Sequence, residues 1–285
     1  MQLRFGAGLL GTLLVAAGPA PAAEPTGAPR GEALVAAYNH RPFGNPGRRQ
    51  VRLELRSGEQ VTRTFVVSNL WRRQGEEVRT VFVLEEPVGL KGTNYLLVED
   101  PGDSRGMQVF LHLPAGERRV LSVQPSRFDE GLLGSDFGYR DLRLQLPLAG
   151  VRYEVRGQER MLGRPVWVVE AIPEGEADRR SRYYLSEAPV LLLGVDHLRA
   201  LPGGGRFEVV KRLRVEGLRQ VDGAWTETRM VMQAPEGRSS VLTLEGFQPA
   251  YAVARRELFE PGALPGLFDA VARLAGASGQ PGGSP

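Results

Sequence analysis

The chain has 285 residues, a formal net charge of +3 and no cysteine, and 42% of its residues are hydrophobic. No disulfide, thiolate metal centre or lipidated cysteine is available to it. Thirty-six basic against thirty-three acidic residues is too even a balance for nucleic-acid binding, while the apolar share suffices for a buried core.

Residues 1–22 read as a secretory signal. Arg4 gives a positive start, Phe5 to Ala17 is an apolar core, and Ala20-Pro21-Ala22 is a small-x-small cleavage site. The core is too short to span a membrane, and no later stretch approaches the roughly 18 apolar residues a span needs. These features predict an exported, soluble, periplasmic protein with no transmembrane segment in the mature chain. One domain is expected over 23–275, with a disordered tail of Gly, Ser and Pro at 276–285.

Gly31 to Asn39 predicts a short helix with Leu34, Val35 and Tyr38 on one side. Val51, Leu53 and Leu55 alternate with charged residues, the pattern of a half-exposed strand. Val61 to Ser68 returns after the turn Ser57-Gly58-Glu59-Gln60, and Val78 to Leu84 is a strand apolar on both sides. Past Leu142, alternating runs recur from Val151, Val166, Arg179, Val190, Phe207, Trp225 and Ser240, separated by Gly- and Pro-bearing turns. About eleven strands result, at the spacing of an up-and-down antiparallel sheet. A short amphipathic helix closes the pattern, with Leu267, Phe268, Val271 and Leu274 on its apolar side.

The most distinctive stretch runs from Pro87 to Leu142. Tyr95 to Val98, Met107 to Leu113 and Val120 to Val123 form three strands joined by turns. Leu96, Leu97 and Val98 are consecutive and apolar, so this strand is either packed on both faces or lies along an apolar cavity. Phe128 to Leu142 carries Gly131, Gly134 and Gly138 among aromatic and aliphatic side chains. That composition suits a flap over the sheet, or a long loop packed on its own aromatics. Ser135 is placed to cap a short helix through Leu142.

No catalytic constellation is present. The histidines His40, His112 and His197 lack metal-ligand spacing, and no nucleophile elbow, phosphate loop or dinucleotide fingerprint occurs. Asp136 and Asp141 read as cap and surface residues rather than as a catalytic pair. No enzyme, metal or cofactor is expected.

KGT at 91–93, FLHLP at 110–114, ERRV at 117–120 and GSDFGYRDL at 134–142 together resemble the LolA-like family of periplasmic outer-membrane lipoprotein-sorting proteins. The likeness extends, more weakly, over Glu32 to Leu264. Arg140 stands where the family usually has Glu, and Phe110-Leu111-His112 where a Trp- and Tyr-rich run is commoner. The resemblance implies an all-β fold with short helices: a curved, half-open antiparallel β-barrel under a helical or loop lid. It also implies a lipid or lipoprotein acyl chain as ligand, held in an apolar barrel cavity, and an inner-membrane exporter as a partner. The alternative is an envelope sensory or regulatory module that binds a protein partner through the same fold. The candidate cavity or flap residues are Phe82, Leu84, Tyr95, Leu97, Phe128, Leu132, Phe137 and Tyr139, with Lys91 and Asp136 as polar candidates.

Overall fold

A computed structural model describes residues 29–42, 47–103, 106–114, 119–203, 205–221, 223–249 and 255–277. The predicted signal at 1–22 and residues 278–285 of the predicted tail lie outside the described residues. Helix α1 (Gly31–Asn39) is followed by strands β1 (Gly47–Ser57), β2 (Gln60–Gln74), β3 (Glu77–Glu86), β4 (Asn94–Glu99), β5 (Met107–His112) and β6 (Val120–Val123). The second half holds β7 (Val151–Met161), β8 (Arg164–Pro173), β9 (Arg179–Ser186), β10 (Leu192–Ala200), β11 (Phe207–Val221), β12 (Ala224–Gln233) and β13 (Arg238–Pro249), then α2 (Leu267–Ala277).

The thirteen strands form one antiparallel sheet in the order β6-β5-β4-β3-β2-β1-β13-β12-β11-β10-β9-β8-β7. Each half is a meander of neighbouring hairpins, and the pairing of β1 with β13 welds the two halves at the centre. Edge strands β6 and β7 do not pair with each other. This corrects the expected half-open barrel: the sheet is open, neither closed into a barrel nor strongly curled. Alternation and turn residues specify hairpins. They do not specify whether the last strand meets the first, which depends on stagger and tilt.

The order has a direct consequence for the segment between β6 and β7. It leaves one outer edge of the sheet and enters the other, so it has to cross a sheet face. Residues 124–150 are this crossing, and they contain the predicted flap.

The expectation that β4 is packed on both faces or borders a cavity resolves at atomic level. All six of its residues are buried. Leu96 and Val98 point to one face, where they pack with Leu70, Val81 and Val83 against Leu264, Leu267 and Val271 of the C-terminal helical segment. Asn94 Nδ2 secures that segment by donating to the Leu264 carbonyl at 2.7 Å. Tyr95 and Leu97 point to the opposite face, under the crossing segment. Helix α1 covers the far half of the sheet, with Leu34, Val35 and Tyr38 against Tyr153, Val155 and Val169. Asn39 is wholly buried and exchanges two 2.8 Å hydrogen bonds with the Leu146 backbone, which ties α1 to the end of the crossing.

Candidate functional site

The flap turns back on itself at its glycines. Gly131 and Gly138 form an isolated antiparallel bridge, and Leu132 N–H donates to the Phe137 carbonyl at 2.8 Å. A Cβ at Gly131 would collide with the Ser135 carbonyl oxygen, so the close approach needs glycine there. The helical turn at Tyr139–Leu142 is capped by Asp141, whose Oδ2 accepts the Gly138 N–H at 2.7 Å. Ser135, the predicted cap, instead accepts the Phe137 N–H at 3.2 Å through its hydroxyl.

Folding in this way drives the flap's apolar side chains into the sheet. Phe137, 1% exposed, packs with Leu53, Phe65, Leu84, Leu213 and Met232. Phe128, Leu132 and Tyr139 pack with Tyr95, Leu97 and Val109. Phe82 touches both groups. The eight apolar candidates are therefore brought together, in two adjoining clusters that they fill with their own side chains. Lys91 lies apart, with its ammonium 4.8 Å from the Phe268 ring centre. Asp136 is bound to the sheet through Ser240, which donates to its carboxylate at 2.8 Å.

The open space lies to one side of these clusters. A cleft of about 740 Å³ runs between the flap, the 146–150 turn and the inner face of β8 to β11. Leu146, Val151, Ala171, Leu192, Val195 and Leu213 supply apolar wall. Of the sequence candidates, Asp136 alone lines it. The cationic side chains in the wall are mostly paired within the protein. Arg140 and Arg179 meet Asp129, Arg180 meets Glu170 at 2.7 Å, and Arg238 meets Asp136 at 3.5 Å.

Asp141 is the flap's polar anchor, with only 3% of its side chain exposed. Lys211 Nζ of β11 donates to Oδ2 at 2.6 Å. His197 Nε2 of β10 lies 2.8 Å from Oδ1, outside hydrogen-bond geometry. Burial alone would raise the pKa of Asp141, yet these two neighbours outweigh it and hold the carboxyl well below the usual carboxylate range. The cap role expected of Asp141 is present, whereas the surface role is not.

Glu99, at the end of β4, behaves oppositely. Its oxygens accept the N–H groups of Leu144 and Gln145 at 3.0 Å each, holding the exit of the crossing segment. Burial outweighs these donors and pushes its pKa up from 4.5 to about 7. The folded protein thus binds this proton more tightly than the unfolded chain. The stabilisation is complete below pH 4.5 and is lost as pH rises through about 7, a change of about 3 kcal/mol. Urea unfolding at pH 5 and pH 7.5 should show the wild type losing stability over this interval and Glu99→Gln losing much less. Equal slopes for the two proteins would rule out Glu99 as the source.

Among the described residues, no group of three or more His, Asp or Glu is placed to hold a metal, and no helix is long and apolar enough to cross a membrane. Sequence reasoning overlooked Glu99 and Arg143. The one local signal was the alternation of Leu142, Leu144 and Leu146, which sets Arg143 and Gln145 apart from an apolar row.

A family model described as "-like: Uncharacterized protein" matches residues 76–265, about two thirds of the chain. The chain belongs to this uncharacterised family. No curated protein matches the sequence. Solved structures show that this family member has a LolA-like fold. An outer membrane lipoprotein-sorting protein domain from Vibrio parahaemolyticus, so classed by its description, superposes with a TM-score of 0.71 at 20% identity, over 82% of this chain and 98% of that one. A DUF1329 family protein from Desulfovibrio piger gives 0.67 at 19% identity, over 81% and 98%. A LolA superfamily protein from Nitrosomonas europaea gives 0.59 at 11% identity, over 82% and 98%. The resemblance carried by the 91–142 motifs therefore holds for the fold of this family member.

Proposed function

We propose that this protein binds a lipid or lipoprotein acyl moiety in the periplasm and passes it between membrane-associated partners, without catalysis and without a cofactor. The observation that carries this reading is the cleft beside the flap. Its volume of about 740 Å³ lies within the range of small-molecule sites, and its apolar wall suits an alkyl chain. Each methylene moved there from water contributes about 0.8 kcal/mol. The periplasmic location is supported by the secretory pattern of residues 1–22, followed by a single LolA-like domain over 23–275. An inner-membrane exporter as donor belongs to the same proposal. The buried flap residues Phe128, Leu132, Phe137 and Tyr139, with Phe82, Leu84, Tyr95 and Leu97 beneath them, act as the backing that holds the flap as a cleft wall.

The test is to purify residues 23–285 from a bacterial periplasm without detergent and analyse an organic extract by mass spectrometry. About one equivalent of a lipid or acylated species is expected. A folded, lipid-free protein that takes up no lipid from vesicles would overturn carriage. It would favour the alternative of a sensory module that binds a protein partner.

A further inference from the structure

One cation in the cleft wall differs from the others. Arg143 follows the last turn of the flap and lines the cleft. Its Nε is closed off from solvent and meets no hydrogen-bond acceptor. Among the described residues it has no ion pair, whereas Arg140, Arg179, Arg180, Lys211 and Arg238 each have an internal acid. Arg199, the remaining cationic neighbour, is exposed at the rim. A guanidinium offers five donors in a fixed fork that matches an oxyanion. The side chain is only partly buried, but its enclosed Nε is cut off from water without an acceptor, which is costly and calls for an explanation.

The internal carboxylate that attracts it does not meet this demand. Glu99 attracts Arg143 electrostatically but makes no hydrogen bond or ion pair with it, its oxygens accepting instead from the Leu144 and Gln145 amides. Burial depresses the basicity of Arg143, and the repulsion of Arg140 adds to that. Two residues along, Gln145 is also buried, with both atoms of its side-chain amide unpaired. Orphaned polar atoms thus gather where the crossing segment leaves the flap. Tyr183 and Ser181 add hydroxyl groups to the same cleft wall.

We infer that Arg143 is the anchor for the acid group of a single-chain anionic amphiphile, which enters the cleft head first and leaves its alkyl chain along the apolar wall. The inference rests on the carriage reading and narrows its ligand. The shared chemistry is an oxyanion, carboxylate or phosphate, joined to an alkyl chain. A neutral acyl group alone would leave the guanidinium unpaired.

The test uses residues 23–285 and two fluorescent probes, cis-parinaric acid and its methyl ester. The wild type is expected to bind the acid at least tenfold more tightly than the ester. Arg143→Gln should remove that preference by weakening the acid and leaving the ester unchanged, while Arg143→Lys should retain part of it. Oleate or 1-oleoyl lysophosphatidate should displace the acid, and which does so better assigns carboxylate or phosphate. Displacement by inorganic phosphate alone would point to a free-anion site and overturn the amphiphile. Equal binding of acid and ester by the wild type would overturn the role of Arg143 while leaving carriage standing. Binding of neither probe, in a protein that also yields no lipid, would overturn both. A parallel loss of acid and ester in Arg143→Gln would make the residue structural, and thermal melting of each variant shows whether it is folded.

Discussion

Phe137→Ala is expected to cost roughly 3–5 kcal/mol of stability, the range for deleting a fully buried aromatic ring. The ring is 1% exposed and touches side chains from both halves of the sheet, including Leu53, Phe65 and Leu84 on one side and Val195, Leu213 and Met232 on the other. It is therefore the point where the crossing segment is nailed to both meanders. The surrounding strands are held by their ladders and have little freedom to collapse into the space left behind. Equilibrium unfolding in urea measures the loss, and limited proteolysis reports where it falls. Cleavage should appear first within 124–150. A loss below about 1 kcal/mol, with the flap still protected, would show that Phe137 does not hold it.

The second large effect is expected at Asp141. Asp141→Ala removes the counter-charge of Lys211, the neighbour of His197 and the acceptor for the Gly138 N–H together. Breaking a buried charged contact costs about 3–5 kcal/mol when the partners stay buried. Lys211 and His197 are 19% and 21% exposed, so solvent recovers part of that, and a loss of roughly 3 kcal/mol is expected. The pH dependence has a defined sign. The folded carboxyl is held below its unfolded value of 3.8, so its contribution is present above that pH and lost as pH falls further. Glu99 acts in the other direction between 4.5 and about 7. Taken together, these two groups place the stability optimum of the wild type near pH 4, between 3.8 and 4.5, and Asp141→Ala should lose its acid limb. In a double-mutant cycle with Lys211→Met, additive losses would show that the two side chains are not coupled.

The elements themselves were largely legible. Alternation at Val51, Leu53 and Leu55, and turn residues such as Ser57-Gly58, report on strands because side chains in a strand point alternately to opposite faces. The α1 boundaries predicted from Gly31 to Asn39 match those observed. About eleven strands were expected, whereas the described residues hold thirteen, one at each of the runs named in the sequence; several reach further than the runs do, as at Arg72 to Gln74 and Arg219 to Val221. The family resemblance rested on motifs at 91–142 and held for the fold. The barrel did not, because strand closure leaves no local mark in the sequence.

The candidate site was legible only in part, for a physical reason. The apolar flap residues announced themselves by composition, and the structure packs them together. The charges that distinguish the cleft did not announce themselves, because an arginine in an arginine-rich sequence looks the same whether paired or alone. Arg140 finds Asp129, and Lys211 finds Asp141 seventy residues away. Arg143 has no ion pair among the described residues, and the Glu99 carboxylate that attracts it accepts from the Leu144 and Gln145 amides instead. The sequence by itself determined the strands, the hairpins and the two short helices, which depend on neighbours a few residues apart. Tertiary structure alone decided that β1 pairs with β13, that the edges stay open, and that 124–150 must cross a face. From that crossing follow the buried latch at Asp141 and the unpaired cation at Arg143, since burial and pairing depend on residues brought together from distant parts of the chain.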